Sequence, residues 1–329
     1  MGKNNRALKS VTIIIPTFNA LGWFRDSYAE LLKQDYAGKW DILVIDSGST
    51  DGTVEFLKDL PRTTVYEIPL AKFGHGKTRN LGANLATGDL ILMTVQDARP
   101  RSTNWITGMV ESLERHSLDG VCGNQAVPHS RANNPLEWYR PISEPIQDDL
   151  IDFSSIQNAS PEERKNACSW DNVNALYRKS SLLAHPFRDV RFGEDMFWAL
   201  DVLEAHGKIG YTHRSKVWHY HHQHPGFTKK RVFYVHYWRH KAFEYLPEAH
   251  SRWGILDSIR AIKTMLWHAH IYSPSELIKW LQYNKQLAKE SHEITGEFLA
   301  AVRKGEEALN ILYTSFGEHS PVATSDQAE

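Results

Sequence analysis

The run "VTIII" (residues 11–15) decides the class of fold, because it is short, apolar and β-branched. Such a run is typical of a strand that is buried on both faces. The segment "LGWFRDSYAELLKQ" (21–34) follows it, with apolar residues at helical spacing. A buried strand followed by an amphipathic helix predicts the first unit of an α/β fold.

This alternation of strand and helix continues through the first 127 residues. Four further segments have the pattern of a buried strand: "DILVID" (41–46), "TVYEI" (64–68), "GDLILMTV" (88–95) and "GVCGNQAV" (120–127). Helices fit between them, and one begins near residue 50, where Ser49 or Thr50 can cap its first turn. Strands separated by helices predict a mostly parallel, doubly wound sheet flanked by helices.

The remaining chain is less regular. Residues 128–165 are rich in Pro, Asn, Ser and acidic residues, and we expect them to be irregular. Order returns at "DNVNALYR" (171–178), followed by a helix from about 193 to 206. Beyond Lys229 the pattern is helical to about Tyr313.

Bulk composition narrows the class of protein. The chain has 329 residues, of which 41% are hydrophobic and 23% charged, as in ordinary soluble proteins. Cys122 and Cys168 lack CxxC spacing, which argues against a thiolate zinc site and a disulfide framework. No signal peptide is visible, and no apolar run approaches the ~20 residues of a spanning helix. We therefore expect a cytoplasmic protein.

Polar residues follow three of the expected strands. In an open parallel sheet, ligands bind beyond the carboxyl ends of the strands. Those ends read "PTFNA" (16–20), "DSGSTDGT" (46–53) and "QDARP" (96–100), so Asp46 and Asp97 should face one crevice. The alternative for 46–53 is a polar turn with a helix cap. The fingerprints GxGxxG and GxxxxGK[ST] are absent from the expected turns, which disfavours dehydrogenases and P-loop NTPases.

Four motifs occur in the order seen in family 2 glycosyltransferases with a GT-A fold. They are "VTIIIPTFNA", "ILVIDSGSTDGT", "FGHGKTRNLGANLATGDLILMTVQDARP" and "FGEDMFWALDVLEAHGKIGY". The combination HGxTRN, QDAxP and FGEDMFWA resembles the rhamnosyltransferase-type branch, over roughly residues 10–225. The resemblance implies a catalytic domain that transfers a sugar from a nucleotide-diphosphate donor with inversion at the anomeric carbon.

The same resemblance implies a nucleotide site. The residues assigned to it are Pro16, Thr17, Asn19, Asp46, Ser47, Gly48, Arg79 and Gln96. Asp46 is expected to hydrogen-bond the base, and Arg79 to offer its planar fork of donors to the nucleotide or diphosphate. The alternative for Arg79 is a surface residue early in a helix.

Acid–base chemistry is assigned to "FGED" at the start of a helix. In relatives the second acid of this pair is the base, so Asp195 should remove the proton from the acceptor hydroxyl. Glu194 is expected to be an orienting group or to bind the acceptor. Acids also favour helix N-termini without any catalytic role. Trp170 and Asn172 are expected to shape the sugar pocket, although an ordinary buried Trp is the alternative.

A divalent cation usually stabilises the leaving diphosphate. Most relatives carry a DxD motif, whereas "TVQDARP" (94–100) offers the carboxylate of Asp97 alone. In "VWHYHHQHP" (217–225), His219 and His221 would share one face of a strand expected at 215–220. We expect one of them to complete a site for Mn²⁺ or Mg²⁺, with Mn²⁺ at least as good. Packing beside a Trp is the alternative.

The C-terminal third bears on the acceptor. Residues 208–290 contain 14 Lys and Arg against 5 Asp and Glu, interleaved with tryptophans. Such faces suit anionic lipid, and packing on the core or on a second subunit is the alternative. We expect a nucleotide-sugar-binding catalytic domain at 1–225, a helical region at 226–315 that contacts a membrane or an oligomer partner, and a polar tail at 316–329.

The resemblance implies an inverting glycosyltransferase that moves L-rhamnose from dTDP-L-rhamnose to a glycan or lipid-linked glycan in polysaccharide biosynthesis. One alternative is a family 2 transferase that uses a UDP-hexose or UDP-N-acetylhexosamine. The other is a non-catalytic nucleotide-sugar-binding relative, against which the intact "FGED" argues. Nucleic-acid binding is not expected, since no recognised module is present.

Overall fold

The structure is a computed structural model that describes residues 8–130, 132–137, 148–220, 225–248, 253–267 and 271–316. Its described residues form two compact units. The sheet unit consists of 8–126, 148–159 and 167–219. The helical unit consists of 127–130, 132–137, 160–166, 220, 225–248, 253–267 and 271–316.

One sheet of nine strands is seen among the described residues. The strands are β1 (Val11–Thr17), β2 (Trp40–Asp46), β3 (Thr63–Glu67), β4 (Leu90–Thr94), β5 (Arg99–Pro100), β6 (Gly120–Ala126), β7 (Asp149–Ile151), β8 (Asn174–Arg178) and β9 (Ile209–Trp218). The helices are α1 (Leu21–Leu32), α2 (Thr53–Lys58), α3 (His75–Leu85), α4 (Trp105–His116), α5 (Ser154–Gln157), α6 (Pro161–Ala167), α7 (Lys179–Ala184), α8 (Glu194–Glu204), α9 (Pro225–Phe243), α10 (Ile255–Trp267), α11 (Pro274–Lys304) and α12 (Glu306–Ser315).

The first four β-strands of the chain build the parallel half of the sheet, in the order β3-β2-β1-β4. Their central residues are fully buried, including Ile13, Val44 and Leu92, as their β-branched and apolar sequences predict. Because β1 and β2 pair in register from Val11↔Trp40 to Thr17↔Asp46, their carboxyl ends lie side by side. This edge carries the polar loops that the sequence singled out.

The other half of the sheet is mixed, which differs from the expected mostly parallel order. Strand β8 runs antiparallel between β4 and β6, so β6 does not pair with β4. Four of the eight strand pairings in the described chain are antiparallel. A short buried run carries no information on strand direction, because its side chains face apolar surroundings either way.

Two further segments differ from their expected form. The stretch expected to be irregular at 128–165 contains β7, α5 and most of α6 within its described residues. The strand expected at 215–220 begins at Ile209 and ends at Trp218, so His219 follows the strand. Antiparallel pairing of Arg99 with Trp218 brings the end of β9 beside β5.

Two apolar clusters lie among the described residues of the helical unit. In one, Phe233 of α9 packs against Phe298 of α11 and Phe316. In the other, Met265 of α10 is buried with Tyr272 and Trp280. None of the described helices combines the length and the apolar character that crossing a membrane would need.

Candidate active site

Hydrogen bonds tie together the loops that follow β1, β2 and β4. The backbone N–H of Asn19 donates to Ser49 Oγ at 2.8 Å, and Asn19 Oδ1 accepts from the Thr50 N–H at 2.9 Å. Gln96 Oε1 accepts from the Phe18 N–H at 2.9 Å, and its Nε2 donates to the Phe18 carbonyl. The three loops therefore form one preorganised rim at the carboxyl edge of the parallel strands.

The side chain of Asp46 fixes the conformation of the loop that follows β2. Its side chain is fully buried, and Oδ1 accepts from the backbone N–H groups of Gly48 and Ser49 at 2.9 and 2.8 Å. Gly48 has φ of +93°, which glycine adopts at little cost, so the chain turns sharply here. The structure thus gives Asp46 a loop-fixing role, while its hydrogen bond to a base stays a prediction.

The ends of β1 and β2 are joined at the same place. The carbonyl oxygen of Thr17 accepts from both the backbone N–H and the hydroxyl of Ser47, each at 2.9 Å. Thr17 and Ser47 are buried, whereas Pro16 and Asn19 are half-buried. The residues assigned to the nucleotide site from this part of the sequence are therefore contiguous in space.

The acid pair lies at the start of α8, after Gly193, whose φ of +78° begins the helix. Glu194 is buried, and its Oε1 accepts from Arg79 Nη1 at 2.5 Å and from Asn172 Nδ2 at 3.3 Å. Arg79 is buried as well, so it is not a surface residue. Its Nη1 pairs with Glu194, a neighbour that the sequence did not predict.

Asp195 keeps part of its surface exposed, although protein surrounds most of the carboxyl group. Burial, followed by the charge of Glu194, raises the pKa of Asp195 to about 8, and the guanidinium of Arg79 opposes this rise. Its Oδ1 accepts from the Met196 N–H at 2.8 Å, and Oδ2 from the Asn172 N–H at 3.2 Å. A carboxyl group with such a pKa can exchange a proton near neutral pH.

A chain of buried side chains supports the pair from behind. Trp170 Nε1 donates to the Tyr177 hydroxyl at 2.7 Å, and this hydroxyl donates to Asn172 Oδ1 at 2.6 Å. Trp170 is buried and packs against Trp198 with ring centroids 5.3 Å apart. Trp170 and Asn172 thus hold the acids in place, and lining of the sugar pocket stays a prediction.

Asp97 and His219 lie next to each other. His219 Nε2 lies 3.5 Å from Asp97 Oδ2, and both side chains are largely buried. The short antiparallel pairing of β5 with β9 brings these two side chains together. Arg99 pairs with Trp218, and Asp97 and His219 lie close to these paired residues in the sequence. His221, the other histidine expected to bind the cation, lies outside the described residues.

Two further functional candidates, Gln125 and Asp171, belong to no motif in the sequence. Gln125 Oε1 lies 2.7 Å from His219 Nδ1, and Gln125 Nε2 donates to Asp171 Oδ2 at 2.8 Å. Burial raises the pKa of Asp171, whereas hydrogen bonds from Gln125 and Val173 lower it. Asp171 precedes Asn172 directly and could have been noticed on that ground. Gln125 lies within an apolar strand, and no local signal distinguishes it.

Comparisons with known proteins agree with this geometry. The family model described as Glycosyl transferase family 2 matches residues 12–182. O-antigen chain rhamnosyltransferase RfbN of Salmonella typhimurium is 30% identical, over 68% of this chain and 70% of its own length. O-antigen chain rhamnosyltransferase WbaN of Salmonella anatum is 26% identical, over 69% of this chain and 71% of its own. The chain belongs to glycosyltransferase family 2, and the predicted resemblance to rhamnosyltransferases is confirmed.

Solved structures confirm the class of fold. The mannosyltransferase PcManGT from Pyrobaculum calidifontis, solved with GDP-Man and Mn²⁺, superposes with a TM-score of 0.52 at 17% identity, over 94% of this chain and 80% of its own. TarS 1–349 from S. aureus, solved with UDP-GlcNAc, gives a TM-score of 0.53 at 13% identity, over 88% and 92% of the two chains. At these identities the likeness concerns the fold, and it supports the predicted GT-A class.

Proposed function

We propose that the protein is an inverting, cation-dependent rhamnosyltransferase that transfers L-rhamnose from dTDP-L-rhamnose to a hydroxyl group of a glycan or lipid-linked glycan during polysaccharide biosynthesis. The observation that carries this proposal is the acid pair at the start of α8, where Asp195 is partly exposed and its pKa is raised to about 8. The choice of rhamnose rests on the names of the relatives RfbN and WbaN.

In the proposed reaction, Asp195 accepts the proton of the acceptor hydroxyl. The acceptor oxygen forms a bond to the anomeric carbon while the bond from that carbon to the diphosphate oxygen breaks. The electron pair of the broken bond leaves on the nucleotide diphosphate. Because the attack comes from the face opposite the leaving group, the configuration at the anomeric carbon is inverted.

Burial and two neighbouring charges set the strength of this base. Burial raises the pKa of Asp195 most, the negative charge of Glu194 raises it further, and the positive charge of Arg79 lowers it. A higher pKa makes the carboxylate a better proton acceptor, but it reduces the ionised fraction at neutral pH. The buried ion pair of Glu194 and Arg79 therefore affects both the base strength of Asp195 and the fraction of Asp195 that is ionised.

The rim around residues 16–19, 46–50 and 96 supports the nucleotide role that the motifs suggest. Its backbone is fixed by hydrogen bonds that the side-chain oxygens of Asn19, Asp46 and Gln96 accept from backbone N–H groups, so a ligand that binds there meets a formed surface. Fixed loops reduce the entropy lost on binding. We assign Pro16, Thr17, Asn19, Ser47 and Gly48 to this nucleotide site.

Asp97 and His219 are the residues that would hold the cation. A carboxylate and an imidazole form a donor set that suits Mn²⁺ better than Mg²⁺, and the two groups already converge within 3.5 Å. Among the described residues no group of three or more His, Cys, Asp and Glu converges in this way, so the diphosphate would supply further oxygen ligands. The bound cation would neutralise charge that develops on the leaving diphosphate. PcManGT was solved with Mn²⁺, which agrees with this assignment.

A lipid-linked acceptor would be met at a membrane surface, and α10 offers a face for that contact. Its large apolar side chains that face solvent are Ile255, Leu256, Ile259, Ile262, Leu266 and Trp267. Arg260 and Lys263 are exposed among them. The opposite face, with Ala261 and Met265, is buried in the helical unit. An apolar stripe with interspersed cations fits an anionic lipid surface.

The acid pair is tested by Asp195→Asn, which retains the size of the side chain but cannot accept the proton, and whose single amide oxygen can replace only one of the two carboxylate oxygens that accept from Met196 and Asn172. We expect turnover, measured as release of dTDP from dTDP-L-rhamnose with a rhamnan or lipid-linked acceptor, to fall about 10²-fold or more. Donor affinity should remain nearly unchanged. The matched control is Asp189→Asn, an exposed acid that pairs with Lys77. Wild-type turnover in Asp195→Asn would refute the assignment of the base.

A further inference from the structure

The surroundings of His219 determine which of its ring nitrogens carries the proton. His219 Nδ1 lies 2.7 Å from Gln125 Oε1, and Gln125 Nε2 lies 2.8 Å from Asp171 Oδ2. The other oxygen of Asp171, Oδ1, accepts from the backbone N–H of Val173 at 2.9 Å. These contacts form a continuous chain of hydrogen bonds from the backbone to the imidazole.

Each link in this chain has a fixed direction. The Val173 N–H can only donate, and an Asp171 carboxylate can only accept, so Gln125 must turn its NH₂ group toward Asp171. Its carbonyl oxygen then faces His219, and Nδ1 must be the nitrogen that carries hydrogen. In the neutral ring Nε2 is then the basic nitrogen, and it is the atom that lies 3.5 Å from Asp97.

We propose that Gln125 and Asp171 are positioning residues that hold His219 in the Nδ1–H tautomer, so that Nε2 is presented as a ligand for a divalent cation shared with Asp97. The role in cation binding rests on the proposed function, whereas the tautomer of His219 rests on the hydrogen-bond geometry alone. Histidines that bind metals commonly donate their second nitrogen to a neighbouring group, and loss of that neighbour lowers metal affinity about 10- to 100-fold.

Asp171→Asn provides a specific test, because it should reverse the whole chain without a change of size. The carbonyl oxygen of the new side-chain amide must still accept from the Val173 N–H, so the NH₂ group of that amide faces Gln125. Gln125 must then turn its oxygen toward this NH₂ group and its own NH₂ group toward His219. Nδ1 becomes the acceptor, and hydrogen moves to Nε2, where it blocks a cation.

The tautomer can be read directly by two-bond ¹H–¹⁵N NMR of histidine-labelled protein without added metal. The measurement is made at about pH 8, above the ordinary pKa of histidine, and the signal of His219 is identified by its loss in His219→Gln. We expect the Nδ1–H pattern in the wild type and the Nε2–H pattern in Asp171→Asn. An Nε2–H pattern in the wild type, or an unchanged pattern in the variant, would overturn the proposal.

Cation affinity is measured separately, by titration of Mn²⁺ in the presence of dTDP with detection of free Mn²⁺ by electron paramagnetic resonance. We expect Asp171→Asn to weaken Mn²⁺ binding about 10- to 100-fold. The matched control is Asn124→Ala, which removes another amide–histidine contact, that of Asn124 with His213 at 2.8 Å. It should leave Mn²⁺ affinity unchanged.

The two measurements separate the possible failures. A tautomer switch together with unchanged Mn²⁺ affinity would overturn the link between the chain and the cation. Absence of Mn²⁺ binding in the wild type would refute the proposed cation site, while the NMR patterns would still decide the roles of Gln125 and Asp171. A melting curve for Asp171→Asn confirms that the variant is folded.

Discussion

At the scale of single residues, the proposed base is a carboxyl group with a pKa well above the ordinary value for Asp. In the proposed reaction, activity requires the ionised form of Asp195, and its pKa is raised to about 8 by burial and by Glu194. The rate should therefore rise with pH up to about 8 and then level off. The ordinary Asp, with a pKa near 3.9, would give no such rise in this range.

Glu194→Gln tests this cause. Removal of the negative charge of Glu194 lowers the pKa of Asp195, and the remaining charge of Arg79 acts in the same direction. We expect the rising limb of the pH profile of kcat/KM to move to lower pH, whatever happens to the maximal rate. Glu204→Gln, an exposed acid at the far end of the same helix, serves as the control and should leave the limb in place. A limb that stays near pH 8 in Glu194→Gln would contradict the electrostatic cause.

At the scale of helices and strands, local pattern predicted much of the fold. The sequences of β1, β2 and β4 predict strands because their buried residues are consecutive and β-branched or apolar. No local pattern predicts the antiparallel insertion of β8, because "NALYR" would be buried in either direction. The apolar spacing of α8 predicts that helix, and with it the two acids at its start.

The candidate site shows the same limit. Motifs identified Asp97, Asp195 and Arg79, which lie in loops or at the starts of helices, where polar residues attract notice. Gln125 lies 94 residues from His219 along the chain and contacts it directly. Asp171 lies 48 residues from His219 and reaches it through Gln125. Both contacts depend on how β6, β8 and β9 are arranged. No sequence pattern records such an arrangement.

Helix α10 is the element whose proposed role is easiest to test. Ile259→Asp places a charge in the middle of its exposed apolar stripe, where Ile259 is 55% exposed and makes little contribution to the core. We expect the variant to lose co-sedimentation with vesicles of phosphatidylcholine and phosphatidylglycerol, because a charge cannot enter the lipid interface without a large desolvation cost.

Ile311→Asp is the matched control, since Ile311 is 64% exposed but lies on α12. It should sediment with vesicles like the wild type, and binding of the wild type should weaken with added salt. Equal binding by Ile259→Asp and the wild type would exclude α10 as the lipid contact. Concentration-dependent dimerisation of the wild type that Ile259→Asp abolishes would instead assign this face to a second copy.

At the scale of the whole molecule, binding of the correct nucleotide should stabilise the folded chain. A ligand at 100 times its Kd raises the free energy of unfolding by about 2.7 kcal/mol. We therefore expect a larger increase in melting temperature with dTDP and Mn²⁺ than with UDP and Mn²⁺ at equal concentration. A larger increase with UDP would favour the alternative of a UDP-sugar donor.

The reciprocal amide pair of Asn134 and Asn284 places a constraint on how the chain is made. Each side chain donates to the carbonyl oxygen of the other, at 2.8 and 3.0 Å, across 150 residues of sequence. Val127 is likewise buried against Tyr272 and Trp280. During synthesis, therefore, the segment around 127–137 leaves the ribosome long before its partners in α11 exist. Until then its apolar side chains have no partners in the helical unit to bury them. In a protein truncated after residue 219, these side chains would stay exposed to solvent.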